Sequence, residues 1–177
     1  FENIFKFISK LNIPLTIFNY TLITLIYENQ KGNFKPVNEA YLLDIFMENL
    51  LEKLDIQKNI YFGSLGYTIM SDYLVYVSKW MVENKLFAIN KYDLISITTN
   101  FIKDLKREKE DIKIESFIEY MEKKGIFVKV EDNKIRFKYN AFLEFFIAKG
   151  MIQDDDLRKI ILDENSILNY KNEINYY

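Results

Sequence analysis

The sequence predicts a mainly α-helical protein with a single β-hairpin late in the chain. Apolar residues recur at intervals of three and four over most of its length, the spacing of one helix face. Strict alternation occurs in one place, where Ile126, Val128 and Val130 are answered by Ile135, Phe137 and Tyr139 across Glu131-Asp132-Asn133. Only five Gly and two Pro occur in 177 residues that are 49% hydrophobic, which excludes linker-like and collagen-like chains.

Phe1, Ile4, Phe5, Ile8 and Leu11 predict a first helix, and Asn12-Ile13-Pro14 stops it and starts another. Asn12 is the natural N-cap there, with Pro14 in the first turn where no amide donor is required. Leu15, Phe18, Leu22, Leu25 and Ile26 carry that second helix to about Glu28, and Gln30-Lys31-Gly32-Asn33 is a loop followed by Pro36. From Asn38, the positions Leu43, Phe46, Met47, Leu50, Leu51 and Leu54 form a wide apolar face opposite Asp44, Glu48, Glu52 and Lys53. Gly63 and Gly66 mark a boundary.

Beyond that boundary, Tyr73, Leu74, Val77, Trp80 and Met81 predict a helix over 71–84. Asn90 reads as the N-cap of the next helix, with Asp93 at the reciprocal capping position and Leu94, Ile97, Phe101, Ile102 and Leu105 inward. The charge run at Lys106–Asp111 reads as a solvated helix end or loop. Glu115–Lys124 is a short helix with Phe117, Ile118 and Met121 inward, and Gly125 sits where a left-handed C-terminal residue belongs. The hairpin comes next and then a helix carrying Phe142, Phe145, Phe146 and Ile147. Asp154-Asp155-Asp156 caps a last short helix through Ile160 and Ile161. Three helices, a hairpin and a helix make the winged-helix arrangement. The predicted fold class is therefore mainly α: a helical bundle followed by a winged-helix domain with one β-hairpin. The expected divisions are a helical domain at 1–62, a winged-helix domain at 63–152, and the start of a following helical segment at 153–177.

Composition limits the chemistry. With no Cys and no His, the chain has no disulfide, no thiolate nucleophile and no Ser-His or Cys-His relay. No Gly-rich stretch leads into Lys-Ser or Lys-Thr, so no phosphate loop is present, and Gly63-Ser64-Leu65-Gly66 reads as a turn. Successive side chains diverge on a helix, so Asp154, Asp155 and Asp156 do not converge on one metal. Glu115, Glu119 and Glu122 read as a solvated face. The chain offers no catalytic and no metal-binding candidate, and by itself it is not an identifiable enzyme.

The balance of 24 basic against 26 acidic residues creates no global field toward nucleic acid or membrane. The longest uncharged run, Leu11–Tyr27, is shorter than the ~20 residues of a spanning helix and is diluted by Asn and Thr. Glu2 and Lys6 interrupt any signal-like start. These features lead us to expect a cytoplasmic piece of a longer protein without a membrane partner. A winged helix also invites a DNA-binding reading, in which the third helix enters the major groove and the wing touches backbone. The wing offers Lys129, Lys134, Arg136 and Lys138, but Glu115, Glu119 and Glu122 give the reading helix the wrong sign for phosphate. A DNA-binding domain and a plain helical protein-interaction domain are the two alternatives to the reading that follows.

The stretch IRFKYNAFLEFFIAKGM, Ile135–Met151, resembles the end of the winged-helix module in NACHT-type ATPases. These belong to the STAND class of signal-transducing, nucleotide-switched proteins. The family pattern is a strand ending Phe-x-His, then a helix of the form x-x-Phe-x-Glu-Tyr/Phe-Phe-x-Ala. Phe137, Phe142, Glu144, Phe145, Phe146 and Ala148 match it. LNIPLTIFNYTLITLIYENQ is similar to the family's helical segment after the ATPase core, and NEAYLLDIFMENLLEKL to its next helix. The three matches fall in family order across most of residues 1–150.

The resemblance implies a regulatory arm: a helical lid and a winged helix that close on the ADP-bound ATPase core of the same chain. It implies a role in bacterial defence or other signalling and a homo-oligomer on activation. The parent protein would use ATP/ADP and Mg through a phosphate loop and acids upstream of Phe1, and the chain itself would hold no cofactor. Pro14 matches the family proline that packs near the adenine, though from the sequence alone a first-turn helix proline is the simpler account. Tyr139 stands where the family often has a His that reaches the nucleotide's phosphates. A Tyr there donates one hydrogen bond and carries no positive charge near neutral pH. Pro14 and Tyr139 are thus the candidate cofactor-binding residues.

Overall fold

The computed structural model describes residues 17–29, 38–52, 66–105 and 112–177. The expectations for the first helix, for Asn12 and Pro14, for the loop at 30–36, for Gly63 and for the charge run at 106–111 lie outside the described residues. The chain forms two compact units, Phe1–Leu54 and Asp55–Tyr177. It is mainly helical with a small three-stranded antiparallel sheet. Among the described residues, no helix is long and apolar enough to cross a membrane.

In the first unit, α1 (Ile17–Asn29) packs on α2 (Glu39–Glu52). Ile23 and Ile26 meet Leu42 and Ile45, with Tyr20 and Phe46 packed against them. Asn38 caps α2, its Oδ1 accepting from the Tyr41 amide at 2.8 Å. Leu25, expected on the apolar stripe, instead stands at the edge of that face and is 42% exposed.

The second unit opens with α3 (Gly66–Glu83), which starts well before the residues expected. Gly66 reads as a breaker but is the first helical residue. The buried series Met70, Leu74, Val77 and Met81 shows the stripe reaching back from Tyr73. The helix stops in a left-handed residue, Lys85 (φ 55°), whose amide bonds the Val82 carbonyl while that of Leu86 bonds Met81. This double closure is the Schellman arrangement. The same closure ends α5 (Ile114–Lys123), with Gly125 (φ 73°) in the left-handed place and Ile126 bonded back to Met121.

Between these helices lie β1 (Ile89–Asn90) and α4 (Lys91–Asp104). Asn90 caps α4 as expected, its Oδ1 accepting from the Tyr92 amide at 2.9 Å, while Asp93 stays exposed in the first turn. The strand β1 is too short to show a period in the sequence. It pairs Ile89 with Ile135 and Asn90 with Lys134, which makes the sheet three-stranded rather than a lone hairpin. The hairpin joins β2 (Phe127–Val130) to β3 (Lys134–Phe137), with Phe127 opposite Phe137. Asp132 (φ 59°) and Asn133 (φ 57°) form its turn, and Asn and Asp tolerate this left-handed conformation best among residues with a side chain.

The last three helices are α6 (Asn140–Gln153), α7 (Asp155–Leu162) and α8 (Lys171–Tyr176), with a 3₁₀ turn at Ile167–Asn169 before α8. α6 is apolar on every side, and a helix of that kind belongs in an interior. It packs on α3, β3, α7 and α8. Gly150 marks the closest approach, since a Cβ there would lie 2.8 Å from Leu157 Cδ2 and 3.0 Å from Val75 Cγ1. As expected, the aspartates open α7: Asp154 accepts from the amides of Asp156 and Leu157 and also pairs with Lys79 of α3.

Tyr73 is fully buried at the centre of α3, α4, α5 and the hairpin. Its ring meets Phe101, Phe117 and Phe127 edge-on at centroid distances of 5.4, 5.0 and 6.5 Å. Thr98 Oγ1 donates to the Leu94 carbonyl at 2.6 Å, so the 2.8 Å bond between Tyr73 and Thr98 must be donated by the phenol. Tyr73→Phe is expected to lose that bond, about 1 kcal/mol. Thr98→Val should cost more, about 1–3 kcal/mol for the stranded phenol alone, and adding Tyr73→Phe should recover part of it. Urea unfolding of the two single variants and the double variant measures the coupling, and strictly additive costs would mean the bond carries no stability.

Candidate functional site

The residue that the sequence singles out within the described structure is Tyr139, at the junction of β3 and α6. Phe137 is buried and ends the strand, and the Lys138 amide bonds the Ile126 carbonyl at 2.8 Å, anchoring the chain as it leaves the sheet. Tyr139 is then the N-cap residue of α6, in extended conformation (φ −122°, ψ 139°), and its carbonyl accepts from the Phe142 amide at 3.1 Å. Its ring stands edge-on against buried Phe142 with centroids 5.1 Å apart, while the side chain keeps 42% of its surface exposed. Tyr139 therefore has an apolar body held by the core and a face open to solvent.

Lys138 completes the arrangement. Its ammonium lies 5.5 Å from the Tyr139 ring centroid. The Tyr139 side chain makes no capping hydrogen bond to α6. Tyr139 at the N-cap and Lys138 one residue before it thus stand at the start of a fourteen-residue helix, with the Lys138 ammonium also close to Gly125. A hydroxyl, an ammonium and the helix-start amides ahead of Phe142 are donor types that a phosphate accepts from, the Phe142 amide itself being taken by the Tyr139 carbonyl. The sequence reading counted Lys138 among the cations of the wing. The signal that it belongs here is its adjacency to the N-cap position, one residue before α6. Pro14, the other sequence candidate, lies outside the described residues.

Two sets of ion pairs elsewhere in the unit have structural tasks. Glu122 binds Lys129 at 3.0 Å, which raises the lysine's pKa and removes one of the wing's four cations from the free surface. In the groove formed by Asp72, Tyr76, Trp80 and Phe101, the ammonium of Lys79 is held by Asp154 and by Glu83 at 3.8 Å. The Lys79 ammonium, followed by two backbone amides, holds the Asp154 carboxyl below its ordinary range. Among the described residues, no group of three or more acids could hold a metal ion.

Sequence reasoning missed Glu173, on the final helix. It is 7% exposed, and burial, with the Glu144 carboxylate adding to it, pushes its pKa from 4.5 up to about 6. Glu144, whose partner the sequence could not identify, accepts from Asn172 Nδ2 at 3.1 Å.

A family model described as Novel STAND NTPase 4 matches residues 87–147, from just before β1 through the first half of α6. The matched span is similar to STAND NTPases and includes Lys138, Tyr139 and Glu144. No curated protein and no solved structure matches the chain.

Glu173 and Asp154 make stability depend on pH in opposite directions. Glu173 is protonated more readily when folded, so stability should fall as pH rises from about 4.5 to about 6, by about 2 kcal/mol, and stay level above. Asp154 is protonated less readily when folded, so its contribution should be lost as pH drops below its ordinary 3.8. Urea titrations from pH 3 to 8 should show both limbs, and Glu173→Gln should flatten only the upper one.

Proposed function

We propose that the chain is a regulatory arm of a STAND ATPase, a helical segment followed by a winged helix. The observation that carries this is the coincidence of the family match at 87–147 with the succession β1, α4, α5, hairpin and α6. The order of the strands, β1-β3-β2, with one strand entering before the second helix of the unit, supports the winged-helix reading. Phe142, Glu144, Phe145, Phe146 and Ala148 on α6 also fit the NACHT-type pattern.

In this reading the α6 terminus faces the ATPase core of the parent chain in its ADP-bound state. Lys138 supplies the positive charge that Tyr139 lacks, and the Tyr139 hydroxyl donates one further hydrogen bond to a phosphate oxygen. The nucleotide, with Mg held by the core, supplies the difference between the two states. The arm's own task is to make contacts present in the closed state and absent from the open one, because only differential contacts shift such an equilibrium. Rigid-body release of the arm would then free the core for assembly and signalling, in bacterial defence or a related response in the cytoplasm. The rigid hold of Tyr139 on Phe142 suits that role, since a switch contact needs a fixed geometry.

In the full-length protein, Tyr139→Phe is expected to lose one neutral hydrogen bond, up to roughly tenfold in ADP affinity. Lys138→Ala should cost more, on the order of ten- to a hundredfold, because its partner is charged, and Lys138→Arg should restore most of it. ADP dissociation kinetics together with basal activity in the absence of trigger are the readouts. Unchanged ADP release in both Tyr139→Phe and Lys138→Ala would remove the α6 terminus from the nucleotide site.

A further inference from the structure

We propose that the cleft between α6 and α8 is a docking site for an arginine side chain of a polypeptide partner. The cleft encloses about 300 Å³ beside Glu144, Lys171, Asn172 and Glu173, with Phe87 and Leu168 at its rim. That volume lies at the lower limit of ligand sites, about 300–1,000 Å³, and suits one side chain better than a nucleotide. The inference stands apart from the nucleotide reading of the α6 terminus.

The chemistry of the occupant follows from the groups that wait for it. Glu173 is more than nine-tenths buried, lines the cleft, and among the described residues its carboxylate is bonded by its own backbone amide alone. Glu144 accepts from Asn172, and among the described residues neither carboxylate has an ion-pair partner. A buried carboxylate without a counter-charge is costly, and a cation entering the cleft relieves that cost. Two carboxylates are too few to make a protein cage for a divalent ion. A guanidinium fits them better: its planar fork reaches both, and its face and stem can lie on apolar surface. Phe87 and Leu168 supply that surface, being 80% and 73% exposed at the cleft mouth. The exposed aromatic and aliphatic rim also argues for a polypeptide source, because an interface anchors on an Arg ringed by apolar contacts.

The titratable and charged groups around Glu173 are Glu144 from α6 and Lys171 and Tyr170 beside it on the chain. Phe87 and Leu168, from the other two segments, carry no charge. Occupancy is therefore governed by the ionisation of Glu173, whose burial raises its pKa, with Lys171 a positive charge beside it.

The test is an amide-resonance titration of the ¹⁵N-labelled 177-residue chain at pH 7.5 with the peptide acetyl-Leu-Arg-Leu-amide. Saturable shifts confined to Phe87, Leu168, Asn172 and Glu173 are expected. Binding should be stronger than that of N-acetylarginine amide, guanidinium chloride or the lysine peptide. Affinity should drop about tenfold at pH 5, where Glu173 is mostly protonated, and likewise in Glu173→Gln. Phe87→Ser alters a solvent-facing residue, leaves the fold intact, and should weaken binding severalfold. No saturable shift, equal binding by Phe87→Ser and Glu173→Gln, or tighter binding of calcium chloride than of the arginine peptide would each overturn the proposal. Equal affinity for free guanidinium or for the lysine peptide would overturn the arginine assignment.

Discussion

The second unit is organised by the burial of one helix on all of its sides. α6 carries Phe142, Leu143, Phe145, Phe146, Ile147, Ala148, Gly150 and Met151 in its buried surface, so no face is left to serve as an ordinary solvated one. Each buried Phe is worth on the order of 2 kcal/mol, and that gain is available only if other elements cover the helix from several directions. α3 covers it where Gly150 permits close approach, β3 brings Phe137 within 6.1 Å of Phe146, and α7 and α8 close the rest. The terminal helices are therefore structural necessities of α6, and residues 153–177 form part of the same compact unit.

Much of this was legible in the sequence because it rests on periodicities and on residues with special backbone preferences. The alternation at 126–139 marks the hairpin, Asn90 and Asp154 mark helix starts, and Gly125 marks a helix end. What was not legible depends on tertiary pairing. β1 is two residues long and exists because Ile89 and Asn90 find Ile135 and Lys134, which no local pattern announces. The early start of α3 hid behind Gly66, which keeps a positive φ of 39° at the first helical residue while the buried stripe reaches back to Met70. Lys85 occupies a left-handed position usually given to Gly, so the end of α3 was readable only to within a residue or two.

The candidate sites divide in the same way. Tyr139 could be found because a sequence pattern fixes its place between a strand and an aromatic helix. Lys138 needed the backbone geometry that sets its ammonium over the Tyr139 ring. Glu173 could not be found at all, since its burial is created by a helix returning to α6 from almost thirty residues downstream of Glu144. Both candidate sites involve α6, which begins after its N-cap Tyr139 and carries Glu144, one turn further on, in the cleft with α8. The proposed switch concerns only the first of these, the start of α6.

The most direct test of that switch is amide hydrogen exchange on the full-length parent protein with and without ADP. The account predicts that ADP slows exchange at residues 138–142, the loop into α6 and its first turn, while the wing tip at 131–133 is unaffected. Protection confined to the wing tip, or no ADP-dependent change at 138–142, would contradict it.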